Sequence, residues 1–408
     1  MTTDRPLAGL ALLTCFALGC TGASPGSAAA YQRVLLPGAD VQAEIEALPD
    51  DGGLAEIYLY PGTYRGGFSV TRPNTHVFGC TKESGSPDTE VICAGPRASE
   101  GVDAAVVKRD PSHVYQWGEP IVGLTASDVW ISRLTVDSDG STATDDQGST
   151  AIGFGACYEP DETCEHHDRL DGIVIQDNVF VDSSYIDIGV NNAGAVIRNN
   201  DLTGENFIGI WVSGSDASEG GQVRIEGNTI ADKADGGGWG VAATAPTWGQ
   251  GNCDESGDCV YGAGKLHVML SDNTITNVRW PITMVLQTAS GESNGVGPHA
   301  MTVVARHNHL EANESPVSLF DHRGWKGDGY TIDVLLADNE STVAGTPGGS
   351  LDLVAYDDTY PSHTALHIED PDEILPAALL DSAGCGPAGN GNEVKVFDAT
   401  EEVRGACP

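Results

Sequence analysis

The feature that most constrains this chain is a sixfold repetition centred on asparagine. Val174-Ile175-Gln176-Asp177-Asn178-Val179-Phe180 is followed by Val196-Ile197-Arg198-Asn199-Asn200-Asp201-Leu202, and variants surround Asn228, Asn273, Asn308 and Asn339. Apolar residues stand five and three positions before each Asn and usually two after it. The alternation is that of a strand, and the polar Asn interrupts it at a bend. Successive Asn are 22, 28, 45, 35 and 31 residues apart. A basic unit near 22 residues with insertions of variable length predicts a β-solenoid.

A second apolar strand lies between one Asn and the next: AIGFGA at 151–156, YIDIGVN at 185–191, FIGIWVS at 207–213, WGVAAT at 239–244, PITMVLQ at 281–287, PVSLFDH at 316–322 and SLDLVAY at 350–356. Alternation puts Ile186, Ile188, Ile208, Ile210, Ile282, Met284, Val317, Leu319, Leu351 and Leu353 on one face, to fill a narrow core. Asp187, Trp211, Gln287, His322 and Tyr356 then point outward. Over roughly residues 31–380 the pattern resembles the right-handed parallel β-helix of the pectate-lyase-like superfamily. The expected fold is all-β, a single-domain solenoid over 31–370 with a short N-terminal capping helix.

The charge is lopsided, 59 acids against 20 bases for a net −39, so a polyphosphate backbone would be repelled and nucleic acid is excluded as a partner. Such a surface suits a salty environment or bulk calcium binding. No apolar run beyond the N-terminus is long enough to span a bilayer. Abundant glycine, 52 residues, fits many tight turns between short strands.

Residues 1–19 read as an export signal, with Arg5 and then the apolar run Leu7 to Leu18. The run ends in Ala17-Leu18-Gly19-Cys20, which resembles a bacterial lipoprotein signal and implies lipidation of Cys20, with residues 20–30 as a flexible tether. Ala28-Ala29-Ala30 offers an ordinary signal-peptidase site instead. Either way the chain is expected outside the cytoplasm, in the cell envelope or beyond it, touching membrane only through the anchor. Eight further cysteines fall into four local pairs: Cys80 with Cys93, Cys157 with Cys164, Cys253 with Cys259, and Cys385 with Cys407. An even count in an exported chain reads as disulfides, with connectivity left open. Only Cys164-Glu165-His166-His167 invites zinc.

Residues 40–50 (DVQAEIEALPD) predict an amphipathic helix capped by Asp40, with Val41, Ile45 and Leu48 in one stripe, covering the open end of the solenoid. Ile57 to Tyr64, ending in Pro61-Gly62-Thr63-Tyr64, marks the first coil. In the insertion at 137–149, Asp137, Asp139, Asp145 and Asp146 could gather around calcium, which favours several oxygens; a solvated acidic loop is the alternative. Residues 371–408 lose the repeat and are expected to form a C-terminal cap, with a short helix from Asp372 to Leu380.

The longest insertions, at 157–169, 215–221, 247–264, 290–300 and 325–330, all follow the second strand of a coil. Stacked coils would line them up beside the outward face, bordering a groove suited to an extended polymer. Near its C-terminal end, His322, Arg323 and Lys326 follow one outward strand. Gln287 should lie one coil earlier and Tyr356, Asp357 and Asp358 one coil later, at the ~4.8 Å strand spacing. The resemblance to polysaccharide lyases implies that Arg323 or Lys326 would neutralise a uronate carboxylate, with calcium an alternative, while His322 or Tyr356 acts as base or acid. Under this reading Gln287, Trp211, Asp187 and Asp358 would bind substrate. A simpler alternative is that Asp321 and Arg323 pair and end the strand. His166, His167 and Asp168 with Asp187 and Trp211 form a second cluster, about 24 Å away.

The chain departs from the marked enzyme families. Arg279-Trp280-Pro281 resembles the Arg-x-Pro of pectate lyases, but Met284 stands where a second arginine is expected. The Asn-Thr-Asp and Gly-His-Gly motifs of polygalacturonases are absent. Gly62-Thr63-Tyr64-Arg65 is similar to the opening of pectin methylesterases, without their later Asp-Phe-Ile-Phe-Gly. The expectation is therefore a monomer that recognises a polysaccharide, with cleavage or epimerisation by proton abstraction. The alternative is a non-catalytic carbohydrate-binding or structural module.

Overall fold

In the computed structural model the described residues are 30–83, 90–94, 102–110, 112, 119–138, 150–153, 170–181, 185–191, 193–204, 206–213, 221–245, 252–253, 259–260, 265–287, 299–322, 330–345, 351, 364–381, 393–400 and 403–407. The chain visits three sheets in turn. In one coil Leu170–Gln176 joins the first sheet, Val179–Val181 the second and Ile186–Asn191 the third, before Ala193–Arg198 returns to the first beside its predecessor. Among the described residues the first sheet has thirteen strands, the second ten (one of them, Thr81–Glu83, an antiparallel side pairing) and the third eight. Adjacent coils pair in parallel, and the result is an all-β parallel β-helix. No helix among the described residues is long and apolar enough to cross a membrane.

The asparagines explain the bend between the first and second sheets. Asn178 donates its amide to the Oδ1 of Asn200 at 3.0 Å, and Asn200, Asn228, Asn273 and Asn308 each do the same to the next, ending at Asn339. The backbone N–H of each of these five donates to the same oxygen. The second amide proton goes to a strand carbonyl, Ile131 for Asn178 and Ile197 for Asn228. A bend must leave the strand ladder, and these buried side chains satisfy the groups it frees. The residue before each Asn has a positive φ: Asp177, Asn199, Gly227, Asp272, His307 and Asp338. Asp, Asn and Gly are the types that reach the left-handed region most cheaply.

Core packing follows the alternation for Ile188, Ile210, Ile282, Met284, Val317, Leu319 and Leu351; Leu353 lies outside the described residues. Ile186 and Ile208 depart from it. The third sheet keeps one register, with Ile186↔Ile208 and Ile188↔Ile210, but its pairing skips Asp187 and Gly209 between them, and it skips Gly209 and Gly240 in the same way between Ile208–Ser213 and Trp239–Ala245. This irregular step turns Ile186 and Ile208 out of the core into a separate cluster with Trp239, Ala242, Trp280 and Val285. The skipped residue turns inward instead: a Cβ at Gly209 would lie 2.7 Å from the core side chain of Ile230.

At the N-terminal end the helix Val41–Glu46 buries Val41 and Ile45, and Asp40 caps it by accepting from the Ala43 N–H at 3.0 Å. Arg72 is buried and ties the following loop down through the carbonyls of Pro49, Pro73 and Gly53. Past residue 370 a short helix, Ala377–Asp381, precedes two more strands of the first sheet, Glu393–Phe397 parallel and Val403–Cys407 antiparallel. The region expected as a cap thus extends the solenoid and turns its last strand back. Cys80 and Cys93 form a disulfide. A small hairpin sets Cys253 opposite Cys259. Cys157, Cys164 and Cys385 lie outside the described residues, and Cys407 pairs in register with Val394.

Candidate functional site

The outward face of the third sheet is built from a row with almost no side chains at one end. Ser69, Gly123, Gly153, Gly189, Trp211, Ala242, Thr283 and Ser318 are consecutive register partners across eight strands. Of the three glycines in register, Gly123 and Gly153 are buried, while Gly189 and its partner Trp211 are half-buried. Glycine within a strand marks a close approach, either by a neighbouring backbone or by a ligand. Packing accounts for part of this: a Cβ at Gly153 would meet the Gly189 carbonyl oxygen and the Thr150 methyl, both at 2.8 Å. Gly189 is looser, with the Thr150 methyl at 3.2 Å.

The next outward row is polar. Asn191, Ser213 and Thr244 are register partners, and the Ser213 hydroxyl donates to Asn191 Oδ1. Among the described residues, the hydroxyls of Thr244 and Thr283 are buried without a hydrogen-bond partner. Beside these rows, at the corner facing the second sheet, rings climb coil by coil. Tyr185 stacks on Phe207 at 5.3 Å, Phe207 lies 5.2 Å from Trp239, and Trp239 lies 5.8 Å from Trp280. Burial raises the Tyr185 pKa, so its hydroxyl stays protonated. Arg279 covers the Trp280 ring at 4.3 Å and pairs with Glu314 at 2.8 Å.

The structure corrects the position of Asp187. Expected outward, it is fully buried, and its Oδ2 lies 2.8 Å from Nζ of Lys233, itself fully buried. Asp187 lies at the unpaired position between Ile186 and Ile188, and the turn Lys233–Gly236 brings a cation to it from two coils away. Sequence reasoning passed over Lys233. Its only signal was one lysine among small residues in Ala231-Asp232-Lys233-Ala234-Asp235-Gly236.

Trp211 lies on the outward face, packed against the outer cluster. Gln287 and His322 end adjacent strands as register partners. Arg323, Lys326, Tyr356, Asp357 and Asp358 lie outside the described residues, as do His166, His167 and Asp168. Of the acids considered for calcium, Asp137 pairs with Lys108 at 2.6 Å, while Asp139, Asp145 and Asp146 lie outside the described residues. Among the described residues no three His, Cys, Asp or Glu side chains gather around a point that could hold a metal ion.

No protein-family model and no curated protein matches the chain. Among solved structures it is similar to a mutant DFA-IIIase from Arthrobacter chlorophenolicus A6 in complex with DFA-III. The identity is 15%, covering 87% of this chain and 79% of that one, with a TM-score of 0.42. The same enzyme without its lid, in complex with GF2, gives 15% identity over 81% and 77% of the two chains and a TM-score of 0.40. ORF18 of Geobacillus virus E2 gives 13% identity over 88% and 57%, with a TM-score of 0.28. Similarity this distant transfers no activity from one chain to another.

Proposed function

We propose that the chain recognises an uncharged polysaccharide laid along the solenoid axis on the outward face of the third sheet. One observation carries the reading: Gly189 and Trp211, both half-buried, are register partners at the end of a row of three glycines. A sugar ring has an apolar face that suits an indole, and Trp211 is half-buried on this face. The charge argues for a neutral polymer. With a net −39, a polyanion meets repulsion, and the two cations described beside this face, Lys233 and Arg279, already hold Asp187 and Glu314. Affinity electrophoresis of the purified protein through gels containing neutral or uronate polysaccharides tests this. Retardation by a neutral polymer that weakens at least tenfold in Trp211→Ala is expected. Equal retardation of both proteins would sink the reading.

Cleavage by proton abstraction is the second reading, favoured by Gln287 and His322 ending adjacent strands as register partners. A rise in ultraviolet absorbance from unsaturated sugars, abolished in His322→Ala, is its expected sign; silence with every retained polymer leaves the binding module. Export with a lipid anchor at Cys20 is part of the proposal, supported by Leu18-Gly19-Cys20 after an apolar run. Labelling with a radioactive fatty acid, lost in Cys20→Ser, is expected.

A further inference from the structure

Asp187 and Lys233 form an ion pair with no exposed surface, joining positions two coils apart. Removing two charges from water is expensive, and a well-packed apolar pair usually serves stability as well or better. The pair therefore invites a reason beyond stability. Its placement supplies one. Asp187 lies two residues before Gly189, and Lys233 lies in the turn that leads into Trp239–Ala245, the strand that carries Ala242. Gly189 and Ala242 are the two register partners of Trp211. The ion pair thus straddles the strand of Trp211 and ties together its two flanking strands.

The turn around Lys233 is strained, and its neighbours hold it. Asp232, Ala234, Asp235 and Gly236 have φ of 58°, 45°, 53° and 84°, a left-handed run that L-residues other than glycine resist. Asn277 donates to Asp232 Oδ1 at 2.7 Å, Asn313 donates to the Gly236 carbonyl at 2.8 Å, and the Ala234 N–H donates to the Asn206 carbonyl at 2.9 Å. On leaving the turn, Gly238 donates to the Lys233 carbonyl and Trp239 donates to that of Phe207. A Cβ at Gly238 would lie 2.4 Å from that Phe207 oxygen, so the exit has one path.

We infer that Asp187 and Lys233 are positioning residues that set the seat of Trp211 by pinning the strands on either side of it. The inference rests on the saccharide reading for its purpose, and its geometry can be tested without ligand. The experiment compares the full chain with the double variant Asp187→Leu/Lys233→Met, which removes both charges and leaves neither unpaired. Thermal unfolding, acrylamide quenching of tryptophan fluorescence and affinity electrophoresis in the retained neutral polysaccharide are all measured. Subtracting the same quenching in a Trp211→Phe background isolates Trp211. The expected result is a midpoint within a few degrees of the parent, a Trp211 quenching constant changed at least twofold, and affinity at least fivefold weaker. Should the double variant not fold, Asp187→Asn, which keeps the shape and a hydrogen bond, is read by the same three measurements. Lys233→Arg, which keeps the charge, is expected to stay close to the parent in Trp211 quenching. A folded variant with Trp211 quenching and affinity unchanged overturns the inference and leaves a structural pair. If the parent binds no polysaccharide, the saccharide reading fails, and Trp211 quenching alone decides the role of the pair.

Discussion

Two corners of this solenoid solve the same problem in opposite ways. Between the first and second sheets, every coil from Asn178 to Asn339 bends with one left-handed residue and one buried Asn, each Asn bonded to the next. Between the second and third sheets, one coil bends through several left-handed residues around Lys233, which reaches past the intervening coil to Asp187. The first corner is repetitive because a bond between equivalent positions can be copied indefinitely. The second joins unlike positions and occurs where the outward face carries its aromatic side chains. Uniform corners carry the scaffold, and the irregular one flanks the site.

Cutting the repetitive ladder at its centre gives the largest expected effect. Asn228→Ala takes partners from the Asn200 N–H and the Ile197 carbonyl and should cost about 4 kcal/mol by denaturant unfolding. At the irregular corner, Lys233→Met alone takes its ion-pair partner from a buried carboxylate and should cost about 3 kcal/mol. If the double apolar variant matches the parent while this single one does not, the cost belongs to the buried charge that has lost its cation and not to lost packing. Ladder ends should matter less than the middle. Asn339→Ala, at the last rung, takes partners from the Asn308 N–H and the Ala305 carbonyl but gives up one Asn–Asn bond fewer, so it is expected to lose about 3 kcal/mol, and a loss larger than that of Asn228→Ala would contradict the ladder's additivity.

Relief of strain separates the corners further. Ala234→Gly should stabilise by about 1 kcal/mol, because glycine tolerates the φ of 45° that alanine resists. The smallest effect is a pH dependence in the first corner. Burial raises the Asp177 pKa above its ordinary 3.8, opposed by Arg133. Its folded form holds the proton more tightly than the unfolded form, so its contribution favours folding below the unfolded value and is lost as pH rises through the folded value. Asp177→Asn should therefore add a little stability at neutral pH and none once pH falls below 3.8, read as a difference in urea midpoints at the two pH values.

The first corner could be read from the chain, since each Asn pairs with its own counterpart one repeat later, and periodicity records that. The inward rows from Ile188 to Leu319 follow from alternation in the same way. Ile186, Ile208 and Asp187 broke the rule because the alternation fails locally at the unpaired position between Ile186 and Ile188, and such a break leaves no mark on a pattern of apolar letters. Trp211 was visible as an outward aromatic. Its glycine neighbours were present in AIGFGA and YIDIGVN, but their alignment into one row depends on register across four strands.

The sequence by itself therefore determined the parallel solenoid, its Asn-bonded bend and most of its core, because these arise from interactions between like positions repeated along the chain. Tertiary structure alone decided which residues crossed to the other face and that Lys233 met Asp187. Those outcomes depend on contacts between unlike positions 46 residues apart, brought within 2.8 Å only once the coils stack.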